Sequence, residues 1–222
     1  MAQRSLYRLL ARILPEGGAL LDLACGDGTF LREALWAGAA HAVGVELSEE
    51  GVLRCVAAGL TVYQGDITEG LADYPDGSFD CVSLIRTVEL LSHPEPVLRE
   101  MLRVGRTALL TFVNLGHWRH RLWFLFGGRV PGTAPEGLDG FPTRLSLPFF
   151  RRYCRKAGIA IVRWIPFPPH PLARILPGLF AHELAVLLAK AGAPERGKGG
   201  GLTGEKEGQA PPESRREEEV LA

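Results

Sequence analysis

No stretch of this sequence stays apolar for long enough to cross a membrane. The nearest case, residues 172–189, is broken by Arg174, Pro177, His182 and Glu183. Neither sign of charge is in excess: 25 Lys and Arg balance 25 Asp and Glu. A protein that holds nucleic acid on a basic surface needs such an excess, so that class is set aside. Cysteine is scarce, and Cys25, Cys55, Cys81 and Cys154 fall in no C-x-x-C or C-x-x-H spacing. No zinc or redox motif follows, no metal is expected, and reduced thiols in the cytoplasm are the default. The 222 residues suit one domain with a substantial core.

What the sequence does have is one sharply punctuated stretch, Leu20-Leu21-Asp22-Leu23-Ala24-Cys25-Gly26-Asp27-Gly28-Thr29-Phe30. An apolar run ends in an acid and small residues, and a helical pattern follows. That is the pattern of a buried parallel strand, a tight turn and a helix N-terminus. Gly26 and Gly28 lack a Cβ, so the backbone can turn sharply and approach a ligand. The helix opening near Thr29 points unpaired N–H groups and a partial positive charge back at the turn, which suits a nucleotide-like ligand. A plain strand–helix turn without a ligand is the competing reading. No third glycine follows at the spacing of G-x-G-x-x-G, so the dinucleotide fingerprint does not apply.

The opening residues 1–14 carry no acid, and Arg4, Arg8 and Arg12 recur every fourth position opposite Leu6, Leu9, Leu10 and Ile13. A transit peptide shares that composition. The strand at Leu20 starts too soon afterwards, so we read an amphipathic helix of the domain. Strands are predicted over 20–24, 42–46, 60–64, 79–85 and 107–113, alternating with helices over 29–37, 48–58 and 94–104. Ser48 is the expected N-cap of the second of these, with Glu49 and Glu50 in its first turn. Five such alternations joined by short turns mean an α/β fold with a doubly wound, mostly parallel sheet whose ligand lies at the carboxyl edge. Asp22, the Gly26 turn, Glu46, Asp66 and Ile85 all fall at or near that edge. Glu46 ends the second strand about twenty residues after the glycine turn, where a carboxylate can accept both hydroxyls of an adenosine ribose. Asp66, in Gly65-Asp66-Ile67, is otherwise read as a turn residue.

After Val113 the character changes. The stretch 114–128 is crowded with aromatic and basic residues. As a helix it places Trp118, Leu122, Leu125 and Phe126 on one stripe, with Trp123 and Phe124 elsewhere. An ordinary core helix and a partner or substrate surface both fit, and apolar residues on more than one side call for a second burial partner. Residues 130–146 read as a long loop, a possible lid, and 147–157 as a helix ended by Gly158. A sixth strand is predicted over 159–164 and a proline-rich connection over 166–171. Residues 184–189 are either a seventh strand or part of a helix. From Gly192 apolar residues nearly vanish, so the expected domain is 1–191 and the tail 192–222 is expected to be disordered.

The turn resembles the first motif of the class I S-adenosylmethionine (SAM) methyltransferases, D-x-G-C-G-x-G, with Ala24 in place of the first glycine. More narrowly, the chain resembles the MetW family of methionine-biosynthesis proteins. The resemblance is carried by Asp22 to Gly28, by Gly44-Val45-Glu46-Leu47-Ser48-Glu49-Glu50-Gly51-Val52 and by Gln64-Gly65-Asp66. It extends through Gly70-Leu71-Ala72-Asp73-Tyr74-Pro75-Asp76-Gly77-Ser78-Phe79-Asp80 and Val97-Leu98-Arg99-Glu100-Met101-Leu102-Arg103-Val104-Gly105-Arg106. The most specific block is Asn114-Leu115-Gly116-His117-Trp118-Arg119 with Gly127-Gly128-Arg129-Val130-Pro131. Where the family continues with a Trp-Tyr-Asp-Thr-Pro-Asn-x-His-like run, this chain has Gly140-Phe141-Pro142-Thr143-Arg144-Leu145-Ser146-Leu147.

The resemblance implies SAM as cofactor, held by Asp22, Ala24, Cys25, Gly26, Asp27 and Gly28 at the turn. Glu46 and Leu47 follow at the second strand, Asp66 would meet the adenine amino group, Ile67 would pack on the ring, and Ile85 completes the set. It also implies homoserine O-acyltransferase as partner, with SAM as an end-product signal. The alternative is methyl transfer to a small-molecule acceptor, with Glu89, His93, His117 and His120 as candidate general bases. None of the four is singled out by spacing, so no catalytic residue is named.

Overall fold

The computed structural model describes residues 2–127 and 145–191. The chain opens with helix α1 (Ala2–Ala11) and continues through β1 (Ala19–Leu23), α2 (Thr29–Trp36), β2 (His41–Glu46), α3 (Glu49–Ala57) and β3 (Thr61–Gln64). Then come β4 (Phe79–Leu84), α4 (Pro94–Val104), β5 (Gly105–Val113) and α5 (Trp118–Gly127). The last part holds α6 (Leu147–Ala157), β6 (Ile159–Phe167), two short helices, α7 (Pro171–Ile175) and α8 (Pro177–Phe180), and β7 (Glu183–Lys190).

One seven-stranded sheet runs in the order β3-β2-β1-β4-β5-β7-β6. The first five strands are parallel, and β7 enters antiparallel to both β5 and β6. The chain winds outward from β1 to β3 and restarts on the other side with β4. The switch point therefore lies between the carboxyl ends of β1 and β4, where such sheets open a crevice.

Strand alternation sorts the core into two layers. Leu21 and Leu23 of β1 join Val82, Leu84, Leu110 and Phe112 in one layer, with Leu98, Met101 and Phe150 from α4 and α6. Leu20 and Leu109 join the other, with Leu6 and Leu10 of α1 and Phe30 and Leu31 of α2. The amphipathic opening is thus a structural helix. Arg4 and Arg8 both reach the buried carboxylate of Glu33 on α2, at 3.0 and 3.3 Å.

Ser48 caps α3, its hydroxyl accepting the Gly51 N–H at 3.4 Å. In the last third one expectation is corrected and one open alternative is decided. Residues 159–164 continue as strand to Phe167, because β6 lies at the sheet edge, where Pro166 pairs with Leu184 without needing an N–H on its open side. The proline-rich connection is then only the few residues before α7 and α8. The ambiguous 184–189 stretch is strand, fixed by pairing with β5 and β6 on its two sides. The expected loop over 130–146 lies outside the described residues except for Leu145 and Ser146, and so does the tail 192–222.

Candidate functional site

The turn after β1 is locked from below and open above. Ala24 sits at φ 52°, the left-handed conformation that favours glycine, at the position where the motif has its first glycine. Gly26 and Gly28 follow at φ 60° and 70°. A Cβ on Gly28 would lie 2.3 Å from Leu60 Cδ1 and 3.0 Å from Cys55 Sγ, so that glycine is needed for packing. A Cβ on Gly26 would meet nothing within 4 Å. The space above Gly26 is therefore room for a ligand close to the backbone. Asp27 Oδ1 accepts the Thr29 N–H at 3.0 Å and fixes the entry to α2.

Glu46 closes this turn from β2. Its Oε2 accepts the Gly26 N–H at 2.8 Å, and its Oε1 accepts the Ser48 N–H at 3.0 Å. Both oxygens retain a second lone pair, and two backbone bonds hold the carboxylate beside the open face of Gly26. Leu47 next to it is well exposed, an apolar side chain at the rim. Asp66 caps the short 3-10 turn after β3, its Oδ1 accepting both the N–H and the hydroxyl of Thr68 at 2.8 and 2.7 Å. Those bonds hold its carboxyl below the usual range. Asp66 thus performs the turn role, and both bonds fall on one oxygen. Ile67 and Ile85 are buried, each in a different core layer.

Asp22 and Cys25 differ from the rest. Asp22 lies within β1, almost fully buried, and accepts the Ser83 hydroxyl at 2.6 Å from neighbouring β4. Burial, helped by the nearby charge of Glu46 and opposed by the Ser83 bond, pushes its pKa up to about 7. Its carboxyl supports the turn from inside the sheet. Cys25 is buried 3.9 Å from the Cys55 sulfur, and burial pushes its thiol far above the ordinary value, so it packs rather than reacts.

Several residues missed in the sequence gather along the same edge. Arg86, just past β4, sits at φ 57° and grips the buried carboxylate of Glu183, Nε to Oε1 at 2.9 Å and Nη2 to Oε2 at 2.6 Å. A non-glycine residue held in that conformation is a usual mark of a functional site. Tyr7 of α1 packs on Phe30 with ring centroids 5.7 Å apart, and burial raises its pKa, with Asp22, Arg86 and Asp27 near enough to contribute. The opening helix thus packs on α2, the helix that follows the glycine turn. No motif in the sequence marks Arg86 or Tyr7.

Of the four candidate bases, the structure groups two and adds a third histidine. His117, His120 and His182 form a triangle with ring centroids 5.7, 5.7 and 5.5 Å apart. His182 comes from the start of β7, pinned by the bond from Asn114 N–H to its carbonyl. Glu89 lies nearby, accepting the Val113 N–H, with its carboxyl raised by burial. His93 is apart, exposed at the start of α4. The His117 pKa is lowered by burial and by the other two rings, and that of His182 by burial and His120, so both are neutral at pH 7. His117 Nδ1 accepts the Arg119 N–H at 3.3 Å, which places its proton on Nε2. No three His, Cys, Asp or Glu among the described residues are grouped so as to hold a metal ion. Nor is any helix among them long and apolar enough to span a membrane.

The seven-stranded sheet, with β7 inserted antiparallel between β5 and β6 and a glycine turn at its switch point, has the class I SAM-dependent methyltransferase fold, whose cofactor is SAM. The crystal structure of an S-adenosylmethionine dependent methyltransferase from Mesorhizobium loti superimposes with a TM-score of 0.60. It is 18% identical and covers 85% of this chain and 97% of its own. Within that class, the family model described as methionine biosynthesis protein MetW matches residues 4–152. The chain belongs to the MetW family. A bifunctional methionine biosynthesis protein MetXA/MetW from Rhodopirellula baltica is 33% identical over 138 residues, 59% of this chain but only 22% of that protein. A ubiquinone biosynthesis O-methyltransferase from Aromatoleum aromaticum is 25% identical over 167 residues, 72% of this chain and 71% of its own.

Proposed function

We propose that residues 1–191 bind SAM at the turn after β1, and that the protein acts in the cytoplasm with a homoserine O-acyltransferase of methionine biosynthesis. SAM is then the end-product signal rather than a consumed substrate. The observation that carries the binding reading is the open face of Gly26 beside the anchored carboxylate of Glu46. In this reading Glu46 takes the ribose hydroxyls, Leu47 and Ile67 flank the adenine, and the second oxygen of Asp66 accepts its amino group. Ala24, Cys25, Asp27 and Gly28 shape the turn, Asp22 steadies it from within the sheet, and Ile85 closes the base of the crevice. The partner is supported by the bifunctional relative, in which MetXA and MetW portions share one polypeptide.

SAM titration by calorimetry tests the site. Glu46→Gln keeps one acceptor oxygen and the shape of the side chain. It is expected to lose on the order of 1.5–3 kcal/mol of SAM affinity, the worth of a charge-assisted hydrogen bond. Unchanged affinity in a folded variant refutes the ribose role. The partner reading is tested by assaying homoserine acylation by the purified acyltransferase with and without this protein, across SAM concentrations. No effect at any SAM concentration refutes it.

A second reading, methyl transfer to a small-molecule acceptor, is favoured by the histidine triangle. His120, whose Nδ1 donates to the Asn114 carbonyl, keeps its Nε2 lone pair free to take a proton from a hydroxyl acceptor. Formation of S-adenosylhomocysteine with a candidate acceptor, lost in His120→Ala, is the result that selects it.

A further inference from the structure

We infer that the outward face of α5 is the surface on which the homoserine O-acyltransferase docks. The inference rests on the partner reading above and adds the place of contact.

Helix α5 is built the wrong way round for a helix that serves only its own domain. Surface helices of globular proteins turn apolar residues inward and polar ones outward. Two of the three polar side chains of α5, His120 and Arg121, are tied back to its own root. His120 Nδ1 bonds the Asn114 carbonyl at 3.2 Å, and Arg121 Nε donates to the Gly116 carbonyl at 2.8 Å. At 3.6 residues per turn, Leu125, Trp118, Leu122, Phe126 and Trp123 fall in one arc of roughly 160°. All five are exposed, Trp123 at 62%, Leu125 at 72% and Phe126 at 82%. Among the described residues nothing covers this face.

The composition of the arc points to a protein partner. Large aromatic side chains with an Arg among them are the usual anchors of a protein interface. Arg119 falls between Phe126 and Trp123 on the helix, so the matching surface is apolar with a carboxylate near its centre. A two-fold contact between copies of this chain would bring the two Arg119 charges into one patch. Anionic lipid is poorly matched, because α5 carries only two full cations, Arg119 and Arg121, the second of them bonded to the Gly116 carbonyl, where lipid-binding segments carry clusters of Lys and Arg. The acyltransferase is favoured because the bifunctional relative keeps the two portions at high effective concentration in one chain. The family model, ending at residue 152, includes α5.

The test uses the full chain and the purified homoserine O-acyltransferase from the same organism, with binding read by biolayer interferometry. Trp123→Ala and Arg119→Glu are each expected to weaken capture at least 30-fold, with melting temperature and SAM affinity unchanged. Trp36→Ala removes an equally exposed aromatic from α2 and is expected to leave capture intact. If the wild type binds and both α5 variants bind as well as it does, the docking face is overturned while the partner reading stands. If the wild type does not bind, with SAM or without it, the partner reading fails and the inference falls with it. Binding of the wild type to phosphatidylglycerol vesicles, or self-association, that Trp123→Ala abolishes while capture is unchanged assigns the face to a membrane or to a second copy. Either result overturns the proposal.

Discussion

After β1 the chain turns within a few residues and its polar groups close on one another. Glu46 takes the Gly26 and Ser48 amides, Asp27 takes Thr29, and only the space above Gly26 is left open. After β5 the chain leaves the sheet with its polar groups equally busy, Asn114 binding the Ala181 carbonyl and His120 its own root, yet it turns a broad apolar arc outward. The first region offers a small concave space edged by carboxylates and backbone. The second offers a convex face of large side chains. The difference separates a concave turn from a convex apolar face on one sheet, and the Arg86–Glu183 pair joins the end of β4 to the start of β7.

The sharpest way to break this comparison is at the joint. Arg86→Ala leaves Glu183 buried without its partner, which is expected to cost about 3–5 kcal/mol in urea unfolding. A loss near zero would show that the two regions are not coupled through that pair. A smaller effect is expected at Asp22. Its folded pKa is raised to about 7 from 3.8, so the native state holds a proton that the unfolded state releases. Its stabilising contribution is present below pH 4 and is lost as pH rises through 7. Asp22→Asn is therefore expected to gain on wild type by on the order of 3 kcal/mol between pH 4 and pH 8, measured as the difference in unfolding free energy. A pH-independent difference would contradict the buried, raised carboxyl.

The two glycines sharpen the contrast inside the turn. Gly28→Ala carries both backbone strain and a clash with Leu60, and is expected to destabilise by about 2–4 kcal/mol. Gly26→Ala carries strain alone, about 1 kcal/mol, but places a methyl in the ligand space and is expected to weaken SAM binding the more of the two. Equal stabilities of these variants would deny that one glycine packs and the other opens. The smallest effect is expected on the convex face: Trp123→Ala should shift unfolding by no more than about 0.5 kcal/mol, as for an exposed side chain. Loss of several kcal/mol would return α5 to the core.

The sequence was most legible where local chemistry and long-range packing ask for the same residue. An apolar run ended by small residues, Ser48 before two acids and Gly158 after Ala157 each specify their element through neighbours a few residues away. That sufficed for the doubly wound sheet and for the places of Glu46, Asp66 and the Gly26 turn at its carboxyl edge. Tertiary structure decided what depends on partners distant along the chain. Arg86 finds Glu183 across 97 residues, and His182 joins His117 and His120 only because β7 returns antiparallel beside β5. Asp22 pairs inward with Ser83 across 61 residues, which no spacing in the motif reveals. The apolar count of α5 was plain in its sequence, but whether that face looks in or out was set by which side of the helix the body of the domain binds. Hydrophobic periodicity records that a face exists, and burial is a property of what lies opposite it.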